Sequence, residues 1–329
     1  MSAAPTLEDR FAGCLLGLAV GDALGGRFEA QSAESIRARF ATVEQLIDYP
    51  QDELWYTDDT QMAIGVAETL IAHGEIREEP LCRAFADNYV PSRGYGWGAR
   101  AVLEAIRSGR DHGEVAERHF PGGSYGNGAA MRVAPVGLLF RNDSERLREQ
   151  ARLSALPTHR HPLGIEGAQL LALAVAMASR SDPSCFDRAA FLAELSSACE
   201  SAEFRAKIEE AGRVQSPEQL TALGNRIEAL DSVPTAIASF ALTPESFEAT
   251  IGNVVFLGGD VDTMAAMAGA LSGAYLGAGR LPARLVNLLE NSPKGRAYLI
   301  ELSKQLLAVH QRVEDERSRV GRTSHGSPD

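Results

Sequence analysis

Two short acidic clusters stand roughly two hundred residues apart, and each opens an apolar run. The first is Thr57-Asp58-Asp59-Thr60, followed by QMAIGVAETLIA. The second is Gly258-Gly259-Asp260-Val261-Asp262-Thr263, followed by MAAMAGALSGAYLG. Thr and Asp are favoured helix caps, and Asp in a first turn complements the helix dipole, so capping explains part of each cluster. Two adjacent Asp between two Thr exceed what one cap needs, and Asp-x-Asp-Thr after Gly-Gly repeats the excess. Where a fold joins two such helix starts, four carboxylates face one another, and joint ionisation needs a cation between them. The donors Thr57, Asp58, Asp59, Asp260, Asp262 and Thr263 are all oxygen, with no His or Cys among them. That set favours Mg2+, Mn2+ or Ca2+ over Zn2+. Several carboxylates together can hold two ions. Asp22 and Glu29, within and after the first glycine-rich run, could join them.

Two glycine-rich loops add a second kind of chemistry. Pro121-Gly122-Gly123-Ser124-Tyr125-Gly126-Asn127-Gly128 precedes AAMRVAPVGLLF, and Gly94-Tyr95-Gly96-Trp97-Gly98 precedes ARAVLEAI. Backbone N–H groups at such helix starts can face an anion, although glycine-rich turns mostly just turn. Neither loop carries the Lys-Ser/Thr ending of a P-loop. Tyr95, Trp97, Phe120 and Tyr125 could stack on a base or anchor their loops. His159, in Thr158-His159-Arg160-His161, is either a ligand contact or a capping residue.

The elements that must position these residues read as helices. Apolar residues recur with helical period, and alternating patterns are scarce; Val43 to Ile47 is a weak strand candidate. The expected helices are Leu7–Leu24, Gln61–His73, Glu79–Tyr89, Gly98–Ser108, Ala129–Phe140, Ser144–Ser154, Gly164–Ala178, Arg188–Ala202, Pro217–Ser232, Phe247–Leu257, Met264–Leu276 and Lys294–Arg312. This is an all-α pattern. Glycine recurs at every fourth position in two of them: Gly13, Gly17, Gly21 and Gly25, then Gly269, Gly273 and Gly277. Helix-interior glycine costs about 1 kcal/mol against alanine, which makes sense where another backbone must come very close. Residues 181–230 show no chemical motif and read as supporting helices. One domain over residues 1–310 is expected, with 311–329 as a charged, flexible tail.

With 329 residues, 45% of them apolar, the chain can bury a sizeable core. A net charge of −12 and no basic stripe exclude a bulk electrostatic grip on nucleic acid. Cys14, Cys82, Cys185 and Cys199 show no Cys-x-x-Cys spacing and read as reduced thiols. The acidic N-terminus is no signal peptide, and the run Phe11 to Leu24 is too short for a membrane span. The expectation is a cytoplasmic, monomeric protein.

The motifs GCLLGLAVGDALGGRFE, WYTDDTQM, GGSYGNGAAMRVAPVG, THRHPLGIEGAQLLALAVA and FLGGDVDTMAAMAGALSGAYLG occur in this order. On these the chain resembles the ADP-ribosylglycohydrolase family over about Leu7 to Gly279. The resemblance implies an orthogonal all-α bundle that hydrolyses ADP-ribosylated proteins. SYGNGAAMRVA, VPTAI and the single glutamate of GGRFEA are most similar to the branch acting on O-linked ADP-ribose: ADP-ribosylserine, poly(ADP-ribose) and O-acetyl-ADP-ribose. Arginine-linked ADP-ribose is an alternative substrate. A non-catalytic ADP-ribose reader and a two-metal phosphohydrolase are alternatives of other classes. The resemblance implies two Mg2+, with Mn2+ as substitute, on Thr57, Asp58, Asp59, Asp260, Asp262 and Thr263. It implies Glu29 as acid/base, with Asp262 in reserve to polarise water. The implied ADP-ribose contacts are Gly94, Trp97, Gly98, Phe120, Gly123, Ser124, Tyr125, Gly126, Asn127 and His159. Two departures stand out. Val261 occupies a position often held by threonine, and HFPGGSYGN is one residue shorter than in animal members, which bears on Phe120.

Overall fold

The computed structural model describes residues 4–50 and 52–323. In chain order the helices are α1 (Leu7–Gly25), α2 (Ala33–Arg39), α3 (Val43–Asp48), α4 (Asp58–His73), α5 (Glu78–Asn88), α6 (Trp97–Arg107), α7 (His112–His119), α8 (Ala134–Leu139) and α9 (Ser144–Ala155). They continue as α10 (Pro162–Arg180), α11 (Arg188–Ala198), α12 (Ala202–Arg213), α13 (Ala229–Leu242), α14 (Phe247–Val255), α15 (Val261–Leu276), α16 (Ala283–Leu288) and α17 (Arg296–Thr323). Among the described residues there is no strand, only three isolated bridges. The all-α expectation holds.

At the centre lie α1 and α15, buried on every side, as helices apolar all round must be. Their glycine stripes meet face to face. A β-carbon added at Gly17 would land on the Gly269 carbonyl oxygen, and one at Gly273 on that of Gly13. Gly21 lies against Ala265 and Gly25 against Val261, so the helices run antiparallel. Gly13, Gly17, Gly21, Gly269 and Gly273, interior to their helices, cost roughly 5 kcal/mol in helix propensity, which this backbone-to-backbone packing must offset. Gly277 is not part of the stripe; it ends α15 with φ 80. The functional consequence is geometric: the C-terminal end of α1 is locked beside the N-terminus of α15. Arg10 fastens the opposite end, donating from its guanidinium to the carbonyls of Ala178, Ala274, Tyr275 and Ser181.

Several boundaries differ from the sequence reading. Val43 to Ile47 is helical, because Thr42 caps the turn at Gln45 N. The expected helix Pro217–Ser232 is a 3-10 segment, Pro217–Ala222, then a loop through Gly224 (φ 103). The true helix, α13, starts at Ala229 and runs through Pro234, the residue that argues against it in sequence. The expected helix Ala129–Phe140 begins only at Ala134, after a 3-10 turn at Asn127–Ala129. Helices α2, α7, α12 and α16, short or strongly polar, are not among the expected helices. α17 continues through Thr323, so residues 311–323 of the expected flexible tail are helical; residues 324–329 lie outside the described residues. All four cysteines are free, and only Cys185 is exposed.

Candidate active site

The C-terminal end of α1 gathers both acidic motifs. Asp22, fully buried in its last turns, accepts hydrogen bonds from Thr57 N (2.9 Å), Thr60 N (3.0 Å) and the Thr60 hydroxyl (2.5 Å). It thereby pins the start of α4. Backbone pairing pins the other motif: Ala30 N donates to Gly259 O and Gly259 N to Gln31 O, both at 3.0 Å. Ser32 bridges Gly258 in the same ladder. This pairing holds the Glu29 turn against the start of α15. Gly258 and Gly259 take φ of 66 and 82, left-handed values that favour glycine. Gly258 also lies tightly on the backbone of residues 31–33.

Capping does not account for the Asp side chains. Thr57 is the N-cap of α4 and accepts from Asp59 N, while Asp260 makes no side-chain cap bond at α15. Asp260 Oδ2 instead accepts from Asn127 Nδ2 at 2.5 Å, and the same amide donates to Ser232 Oγ at 3.0 Å. The Thr57 hydroxyl donates to Asp59 Oδ2 at 3.0 Å.

The result is a dense carboxyl cluster. Burial, and then the charges of Asp22 and Asp262, hold Asp58 and Asp59 well above the usual carboxylate range. Burial, with Asp262 next among the raising causes, lifts Asp22 and Asp260 to about 7. Glu29, accessible at the cavity mouth, is raised by partial burial and by Asp262. Asp262, itself raised by burial, appears in the environment of all five others and is the electrostatic centre. Two buried oxygens, Asp59 Oδ1 and Asp262 Oδ1, have no hydrogen-bond partner. A buried carboxylate oxygen left bare is costly. One from each motif is what a hard cation, or water held by one, would satisfy. Among the described residues no group of three or more His, Cys, Asp or Glu side chains forms a ready metal cluster. The fit therefore rests on the oxygen donor set and the two bare oxygens. Val261 is fully buried in the core, so a hydroxyl there has no polar environment to serve.

The carboxyls open onto a cavity of about 440 Å³ whose lining includes Glu29, Asp58, Asp59, Asp260, Asp262 and Thr263. Gly94, Trp97, Gly98, Phe120, Ser124, Tyr125, Gly126, Asn127 and His159 line it too. Of the expected site residues, Thr57 and Gly123 stand outside the wall; Gly123 packs on the backbone of Arg160 and His161 and shapes its loop. The aromatic alternatives separate cleanly. Tyr95 is buried, donates to Gln61 Oε1 and anchors its loop. Trp97 (69% exposed) and Tyr125 (52% exposed) stand at the cavity wall, and Phe120 packs on Gly98 and edge-on to Trp97. Trp97 lies flat on His119 at 4.2 Å, which fixes the indole plane.

The loop 122–128 is more self-satisfied than its sequence implies. Gly123 N donates to Phe120 O, Gly126 N to Ser124 Oγ and Asn127 N to Ile227 O. Among the described residues the Ser124 and Tyr125 N–H groups have no acceptor. A long helix does not follow directly, so the dipole at this loop is that of one 3-10 turn.

Sequence reading missed Met62, Met131, Arg132, Thr158, Ile227 and Glu228, all on the wall. Ile227 and Glu228 come from the segment 181–230, read as support only. The signal was the polar break before α13, hidden by the expected helix across it. Arg132 is fully buried, over the Phe85 ring at 4.7 Å, and donates to Ser154 O and Thr158 Oγ1. Burial lowers its pKa to about 9. Burial and the Arg132 charge push His159 down to about 3, so this imidazole is neutral at working pH.

Fold and site together define an all-helical protein with a buried carboxyl centre facing a cavity of about 440 Å³. The model of the ADP-ribosylglycohydrolase family matches residues 3–316. The chain is 35% identical over 316 residues to mouse ADP-ribosylhydrolase ARH3, covering 83% of this chain and 85% of that one. It is 36% identical over 323 residues to the chicken protein of the same name, covering 83% and 87%. A solved ADP-ribosylglycohydrolase-related protein complex superposes with a TM-score of 0.71 at 26% identity, covering 92% and 99%. The chain belongs to the ADP-ribosylglycohydrolase family.

Proposed function

We propose that this enzyme hydrolyses the C1″ glycosidic bond of O-linked ADP-ribose, on serine, in poly(ADP-ribose) or in O-acetyl-ADP-ribose. The observation that carries the reading is the pairing of an accessible, raised Glu29 with the carboxyl cluster in the cavity lining. The aromatic lining, Trp97, Phe120 and Tyr125, suits the base. The free N–H groups of Ser124 and Tyr125 suit the diphosphate.

Breaking C1″–O develops positive charge on the anomeric carbon, as in other glycoside hydrolyses. Glu29, held protonated further toward neutral pH than an ordinary glutamate, gives its proton to the leaving oxygen as that bond breaks. As a carboxylate it then takes a proton from the water whose oxygen bonds to C1″. That returns Glu29 to its starting state and leaves free ADP-ribose with the alcohol of a serine or ribose link, or acetic acid from the acetyl ester. Asp22, by fixing the start of α4, and Asn127, by fixing Asp260, keep the surrounding carboxylates in place. Two Mg2+ or Mn2+ ions would be held by Thr57, Asp58, Asp59, Asp260, Asp262 and Thr263; when bound they supply positive charge for the ribose hydroxyls and let these carboxylates ionise together.

The test is a panel of defined serine-, arginine-, acetyl- and ribose-linked ADP-ribose substrates with Mg2+, scored for products. Free ADP-ribose from the O-linked members is expected. Release confined to the arginine link would move the reading to that substrate. Release of AMP or phosphate would make the protein a phosphohydrolase. Tight binding without turnover would make it a reader.

A further inference from the structure

We infer that Arg132 and Thr158 are positioning residues that hold His159 as the tautomer with its proton on Nε2, aimed at the ligand. The inference rests on the functional reading above for the ligand's identity, but not for the tautomer. The chain of contacts is short and buried throughout. Arg132 Nη2 donates to Thr158 Oγ1 at 2.9 Å, and Thr158 Oγ1 lies 2.7 Å from His159 Nδ1. A guanidinium can only donate. Thr158 Oγ1 is therefore an acceptor from Arg132, and its own proton needs a partner. His159 Nδ1 is the partner the hydroxyl has, so Nδ1 accepts and Nε2 carries the hydrogen. The opposite tautomer would make Oγ1 accept twice and strand a buried hydroxyl proton, which is costly.

The other end of the ring is placed for use. His159 Nε2 lies against Gly126 and Gly128, within about 3.1–3.4 Å of where their β-carbons would stand. These glycines and His159 all line the cavity, beside the free N–H groups of the Ser124-Tyr125 turn. The imidazole thus joins that turn as a neutral N–H donor to an anion or hydroxyl. Arg132 supports this from behind. It makes no ion pair among the described residues, and its Nε is buried without a partner. Its charge disfavours an imidazolium and polarises Thr158 toward Nδ1.

The experiment compares wild type, Thr158→Val and Thr158→Ser by nitrogen-15 NMR of the His159 ring and by ADP-ribose titration with Mg2+. The wild type and Thr158→Ser should show Nδ1 as the bare nitrogen and bind alike. Thr158→Val, nearly isosteric, should populate both tautomers and bind about tenfold more weakly, the scale of one lost donor. In turnover, KM should rise while kcat holds within about twofold. A wild-type ring protonated at Nδ1, or a Thr158→Val protein with unchanged tautomer and affinity, would overturn the inference. A wild-type Nε2–H ring with no ADP-ribose binding would support tautomer control while removing the proposed ligand.

Discussion

Removing divalent cations should turn the carboxyl cluster into a pH-dependent load on the fold. Asp22 is fully buried and lifted from the usual range near 3.8 to about 7 by burial and, next among the raising causes, by Asp262. A carboxyl whose folded pKa lies above its unfolded value holds its proton longer in the native state. Its contribution to stability is complete below the unfolded value and is lost as pH rises to the folded one. Over about 3 pH units, at roughly 1.4 kcal/mol each, this one group costs on the order of 4 kcal/mol by pH 7. For 329 residues, 1 kcal/mol moves Tm by about 1.4 °C, so the expected fall is about 6 °C. Asp58 and Asp59, raised in the same direction, extend the loss above pH 7. The assay is differential scanning fluorimetry from pH 5 to 8, with chelator in one arm and excess Mg2+ in the other. Neutral, buried His159 acts oppositely below about pH 6.5. It does so in both arms and cancels from their difference. The Mg2+-induced rise in Tm should be small at pH 5 and reach several degrees by pH 8. Asp262→Ala should abolish the cation effect and lessen, without removing, the fall of the chelated arm with pH, because burial is the first cause of the raised Asp22, Asp58 and Asp59. A cation effect that is absent, or independent of pH, would refute the linkage of cations to these carboxyls.

Other substitutions probe separate parts of the machinery. Glu29→Gln should retain ADP-ribose affinity and lose about two or more orders of magnitude in kcat, measured by steady-state release of ADP-ribose; near-normal turnover removes Glu29 from the acid/base role. Tyr125→Ala should weaken ADP-ribose binding by about 1 kcal/mol or more through lost stacking, read by calorimetry, with little effect on Tm. Gly17→Val places side-chain atoms on the Gly269 carbonyl and should destabilise by about 3 kcal/mol or more. Its control, Gly212→Ala in α12, meets nothing within 4 Å and should be neutral or slightly stabilising in the same denaturation assay.

The sequence exposed what repeats at short range. The glycine stripes are legible because four-residue spacing is a helix face, and their antiparallel meeting is what sets Gly25 against Val261. The acidic excess over capping is legible too, and Thr57 proves to be the cap that leaves Asp58 and Asp59 for other work. What was not legible is long-range. No local pattern says that Asn127 orients Asp260, 133 positions away. Arg132 falls inside the expected helix Ala129–Phe140, whereas the observed helix starts after it, at Ala134, and its side chain is fully buried. Glu228 and Ile227 were concealed because the expected helix Pro217–Ser232 ran across the loop that carries them, before α13 starts at Ala229.

The central claim is that the starts of α4 and α15 form one cation site serving the cavity. The most direct measurement is anomalous diffraction from crystals grown with Mn2+ and ADP-ribose. The expected result is manganese density reached by Asp59 Oδ1 and Asp262 Oδ1, with the distal ribose against it and Glu29 beside C1″. ADP-ribose bound in the cavity with no manganese between the two motifs would contradict it.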